Sequence, residues 1–115
     1  MTSVTLFQGP QGIQGFACSG HSGFSASGTD IVCAAVSALT LTCVNALESV
    51  AGIRPKVVQR PKDGFLQVTL PENLTGNQHH DAQVLLKALR QGIGDIQDQY
   101  PKYVHLSIQE RRNDP

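Results

Sequence analysis

Between Asp30 and Ala51 the chain reads DIVCAAVSALTLTCVNALESVA, and no other stretch restricts the fold as much. Apolar residues fall on nearly every side of a helix drawn through it. The segment therefore predicts a helix shielded inside the domain or between two protomers, not one lying on the surface. Gly52 and Pro55 cannot continue the pattern and end it. Such a helix needs a sheet to pack on, and its flanks supply one.

Upstream, SVTLFQ at 3–8 alternates with Val4 and Leu6 on one face, GPQG turns the chain, and IQGFACS at 13–19 reads as the second strand of a hairpin. Downstream, KVVQR and FLQVTL are short strands around PKDG, where Asp63-Gly64 supplies a tight turn; Leu66, Val68 and Leu70 share a face. Ala82, Leu85, Leu86, Leu89, Ile93 and Ile96 mark an amphipathic second helix, with Asn77 as its expected cap and Gly92 and Gly94 loosening its end. Pro101 stops it, and KYVHLSIQ alternates as a last strand with Val104, Leu106 and Ile108 inward. The order ββαββαβ predicts an α/β (α+β) sandwich, a small sheet of two hairpins plus a C-terminal strand carrying two helices. With 115 residues and no linker or repeat, a single domain over 1–115 is expected.

Nine basic and nine acidic residues cancel, which argues against a nucleic-acid partner. Arg111-Arg112 reads as a solvated end. No run approaches the roughly 20 apolar residues that span a bilayer, so no membrane partner is expected. MTSVTLFQGPQ lacks the basic leader and apolar core of an export signal. Cys18, Cys33 and Cys43 are odd in number and widely spread, and read as free thiols of a cytoplasmic protein.

Each thiol then needs a reason. Thr29-Asp30 stands where a helix cap belongs, and Cys33 falls in the first turn, where unpaired N–H groups and the helix dipole favour a thiolate. At about 100° per residue, Asp30, Cys33, Ser37, Thr40 and Val44 share one arc of roughly 80°, the only stripe that is polar along most of its length. His21 lies twelve positions upstream, at the mouth of a glycine- and serine-rich loop able to fold back on the helix start. A Cys–His pair, with Ser37 one turn on and Asp30 as orienter or cap, describes acyl transfer, most often peptide hydrolysis.

Other readings stand beside it. Cys33 is also a small core side chain in a partner-binding dimeric module, or half of a Cys18–Cys33 redox couple. GFSASGTD has a P-loop outline, but Thr29 and Asp30 replace its lysine and hydroxyl residues, and a carboxylate there repels phosphate. A zinc set from Cys18, His21, Cys33 and His79 or His80 lacks a second tight ligand pair. No metal and no cofactor is therefore expected. Cys43, about 80° round the helix from Cys33, reads as packing, and His79-His80-Asp81 as first-turn polarity.

GHSGFSASGTDIVCAAVSALT closely resembles the signature of the ribosomal-processing cysteine proteases, the Prp (YsxB-like) family: Gly-His-Ala, a glycine-rich loop, then Asp-Ile-Val-Cys-Ala-Ala-Val-Ser-Ala-Leu. The likeness extends over the initial and central hairpins and GIGDIQDQYPKYVHLS. It implies His21 as general base, Cys33 as nucleophile, and Asp30 and Ser37 as supporting polar positions. It also implies a homodimer, and as substrate the N-terminal extension of large-subunit ribosomal protein twenty-seven, cut after a short apolar, phenylalanine-containing motif. Its glycine-rich segment, with Gly20, Gly23 and Gly28, is expected to form a movable cover. Ser22 departs from the usual alanine. Phe24 and Phe65 are candidate contacts for the substrate's apolar side chains.

Overall fold

Alternation of apolar and polar side chains makes the first two strands, and the structure pairs them as a hairpin: β1 (Thr2–Gly9) runs antiparallel to β2 (Gly12–Ser19). The computed structural model describes residues 1–20 and 30–111. Helix α1 (Ile31–Ser49) follows, then β3 (Lys56–Arg60), a 3-10 turn at Pro61–Asp63, β4 (Phe65–Thr69), helix α2 (Gly76–Gln99) and β5 (Val104–Glu110). The five strands lie in the order β3-β4-β2-β1-β5, antiparallel except for the parallel β1–β5 pair. This is the α/β sandwich expected, in the expected ββαββαβ order.

Register decides where the core sits. Val4 lies opposite Cys18 and Leu6 opposite Phe16, while Phe16 and Cys18 meet Val68 and Leu66 on their other side. That face carries the apolar residues, and both helices pack over it. Phe16, Leu6, Leu47, Ile53, Leu86 and Ile93 are among its fully buried side chains. Burying each of these contributes roughly 1.5–3 kcal/mol relative to leaving it in water. The other face is more polar; there Thr5 and Ser107 hydroxyls bond at 3.1 Å.

Glutamines on α2 fasten the layers. Gln83 both accepts from the Ile13 N–H and donates to its carbonyl, each at 2.8 Å, and Gln97 Oε1 accepts from the Leu106 N–H on the edge strand. The cap of α2 is Thr75 instead of Asn77: its hydroxyl accepts from Gln78 N–H at 3.1 Å while Gln78 Oε1 accepts from Thr75 N–H at 3.0 Å. This reciprocal pair satisfies two orphan donors at once, which Asn77, already inside the helix, cannot do. Gly92 and Gly94 do not loosen the helix, which runs unbroken to Gln99. A Cβ on Gly92 would come within 2.8 Å of Leu39 Cδ1, so this glycine lets α1 and α2 approach closely. Ile108, expected inward, is half exposed on the edge strand.

Helix α1 also departs from expectation. Its buried residues are one stripe, Val32, Val36, Thr40, Cys43 and Leu47, while Ile31, Leu41 and Val50 are exposed. With 19 residues it is, by length and composition, apolar enough to cross a bilayer, contrary to the count of apolar runs above. In the fold that stripe instead packs on the sheet and on α2.

Candidate active site

Helix α1 begins where Asp30 leaves helical geometry (φ −76°, ψ 103°) and its Oδ1 accepts a hydrogen bond from the Cys33 N–H at 2.9 Å. The first intrahelical bond runs from Ala34 N–H to the Asp30 carbonyl at 3.0 Å. Cys33 thus sits on the last residue of the N-terminal turn, with its own amide engaged by the cap. The Ile31 and Val32 N–H groups point toward the same end, ahead of the first intrahelical bond. Cys33 is partly exposed, and Ser37, one turn on, is exposed beside it.

Both residues border a cavity of about 230 Å³ between the start of α1, the ends of β1 and β2 nearest it, and the β3–β4 hairpin. Thr2, Cys18 and Leu66 come from the strands, and Val36, Thr40 and Leu41 from the helix. Gln59, Pro61, Gly64 and Phe65 close the hairpin side. The Arg60 guanidinium lies 4.0 Å from the Phe65 ring centroid and bonds Asp63 at 3.1 Å, bracing that wall. Phe65 is legible in the sequence as a candidate contact. The remaining hairpin residues and Thr2 are not singled out by any motif, although the alternation Thr2, Val4, Leu6 sets Thr2 on the helix-facing side.

The three thiols differ sharply. Cys18 and Cys43 are buried, and burial pushes their thiols up to about 12 and about 11; for Cys18, the neighbouring Cys43 adds to the rise. Neither is a nucleophile near neutrality. Cys43 donates a long bond of 3.9 Å to the Leu85 carbonyl, as a packing residue does. All three are free, and Cys18 shares the cavity with Cys33.

His21, Ser22, Gly23, Phe24 and Gly28 lie outside the described residues. Gly20, immediately before His21, lines the cavity with φ +84°, and a Cβ there would meet the Met1 carbonyl oxygen at 2.5 Å. Only glycine fits that approach. The chain therefore reaches the rim of the Cys33 cavity one residue before His21. His79 stands at the opposite end of the sheet, beside a groove of about 930 Å³ that also takes in Arg111, and His80 is exposed and bonded to Asp81. That groove is larger, but it holds no thiol.

Against known proteins, the family model described as Cysteine protease Prp matches residues 1–105. The chain is 31% identical, over 90 residues, to the ribosomal processing cysteine protease Prp of Bacillus subtilis (strain 168), covering 78% of this chain and 80% of that one. Its fold is similar to a Staphylococcus aureus ribosomal processing protease Prp solved with a covalently linked product peptide, with TM-score 0.84 at 23% identity over 95% of this chain and 100% of that one. A crystal structure from Streptococcus mutans superposes with TM-score 0.82 at 29% identity, covering 96% of each chain.

Proposed function

Starting from the fact that this chain belongs to the Prp family of cysteine proteases, we propose that Cys33 is its nucleophile and His21 its general base. The observation that carries the reading is Cys33 itself: the one partly exposed thiol of the three, on the first turn of α1, opening on a cavity whose rim includes Gly20, the residue before His21. His21 takes the thiol proton, Cys33 Sγ attacks the scissile carbonyl, and the C–N bond breaks as His21 returns the proton to the leaving amine. Water then hydrolyses the thioester and frees Cys33. With the Cys33 N–H engaged by Asp30, the Ile31 and Val32 amides are the oxyanion donors. Asp30 fixes the turn, and Ser37 provides a hydroxyl beside the sulfur.

The substrate is the N-terminal extension of large-subunit ribosomal protein twenty-seven, cut after an apolar, phenylalanine-containing motif, in the compartment where ribosomes are built. The relatives' ribosomal-processing role and the apolar walls of the cavity at Val36, Phe65 and Leu66 support this. The enzyme works as a homodimer. Ile31, Ala34, Ala38 and Leu41 recur along one exposed, uncharged face of α1, a seam suited to the same helix of a second copy. A redox role draws on Cys18 and Cys33 sharing the cavity, but a thiol held near 12 resolves oxidised partners slowly at neutral pH.

Cys33→Ala tests the reading: it removes one partly exposed sulfur, leaves the fold intact, and abolishes cleavage of a peptide bearing the apolar, phenylalanine-containing motif. Cleavage at the wild-type rate would contradict it.

A further inference from the structure

The sheet's two edges differ. On β5 the Leu106 N–H is taken up by Gln97 Oε1 of α2, so that edge is partly covered. On β3 all five residues are exposed, and among the described residues no hydrogen bond reaches its backbone from beyond the sheet. A bare edge strand is a template for another extended chain. Register sets what that chain meets. Lys56, Val58 and Arg60 lie on the side away from the helices, paired with Thr69, Gln67 and Phe65. Val57 and Gln59 share the helix side with Val68 and Leu66.

The charges argue against a second copy as that chain. Two β3 strands paired in register set Lys56 against Arg60 when antiparallel, and like residue against like when parallel, with no acid in the strand to offset them. An apolar or acidic chain meets no such repulsion, and it finds Val57 and Val58, 43% and 40% exposed, as neighbours on either face. Position points to the substrate. The strand ends at the Cys33 cavity, where Gln59 and Pro61 form part of the wall. A chain laid along β3 therefore leads to the cleft that holds the thiol. We infer that β3 is a docking strand: the apolar stretch preceding the scissile bond adds to this edge as a further strand, and the residues nearest the cut leave it to enter the cavity. This rests on the peptidase reading above. Backbone pairing supplies the affinity, while Val57, Val58 and Lys56 set the preference for apolar side chains and for an acid over a base beside Lys56.

The test places a single N-methyl group on the peptide substrate, one residue at a time upstream of the cut, and reads kcat/KM. In an added strand only alternate residues direct their N–H toward the sheet, so losses of roughly three- to tenfold recur at every second residue. A second series carries Glu or Lys at each of these residues in turn. At one of them Glu is preferred to Lys by up to about fivefold, and Lys56→Glu, at an exposed side chain, reverses that preference. Losses that do not alternate, or a charge preference that ignores Lys56→Glu, overturn this inference alone. No cleavage of the unmodified peptide by wild type overturns the peptidase reading and this inference together.

Discussion

The carboxylate of Asp30 and the amide of Cys33 are joined at 2.9 Å, so the residue that caps α1 also fixes the turn bearing the thiol. Replacing Asp30 by Ala removes an N-cap and is expected to cost about 1 kcal/mol of stability, whereas Asn retains most of it. Chemical denaturation of the two variants checks this, and the Ala variant also cleaves more slowly because Cys33 loses its fixed turn.

Reactivity should separate the cysteines. At neutral pH iodoacetamide labels Cys33 first, while Cys18 and Cys43, buried and pushed up to about 12 and about 11, react only after unfolding. Peptide mapping over time reads the order.

The same two thiols make stability fall in alkali. Their folded values lie above the ordinary 9.0, so the unfolded chain loses those protons first as pH rises. Stability is fully present below about pH 9 and declines above it toward 11 and 12, by up to about 1.4 kcal/mol per pH unit for each thiol. Urea midpoints between pH 8 and 10.5 should drop for wild type, and less steeply for Cys18→Ala.

Gly20→Ala forces a side chain into left-handed backbone against the Met1 carbonyl. A loss of roughly 1–2 kcal/mol is expected, with a larger fall in cleavage than that loss alone explains, because His21 follows directly. Thermal unfolding beside steady-state kinetics separates the two effects.

Much of this is legible in the sequence, for physical reasons that differ by element. Two-residue alternation reveals β1 and β2, because a half-buried strand repeats its surroundings at that period. The Asp30 cap and the placing of Cys33 in the first turn follow from local rules. What fails depends on neighbours distant in the chain. The exposed side of α1 cannot be told from its buried stripe, since both are apolar. Gly92 reads as loosening the helix end until Leu39 is seen across from it. Thr75 outcompetes Asn77 because Gln78 completes a reciprocal pair. The β3–β4 wall of the cavity comes together only through the strand order.

The α1 seam gives a further expectation. Leu41→Glu places a charge on that face; if the proposed dimer forms there, sedimentation shows a monomer for this variant and a dimer for the wild type. A variant that stays dimeric would move the interface elsewhere.

The most direct measurement is to mix the enzyme with its peptide substrate, quench in acid within the first turnover, and map the acylated residue by mass spectrometry. The acyl group is expected on the peptide containing Cys33. Acylation at Cys18 or Cys43, or turnover with no acyl-enzyme and undiminished activity in Cys33→Ala, would contradict it.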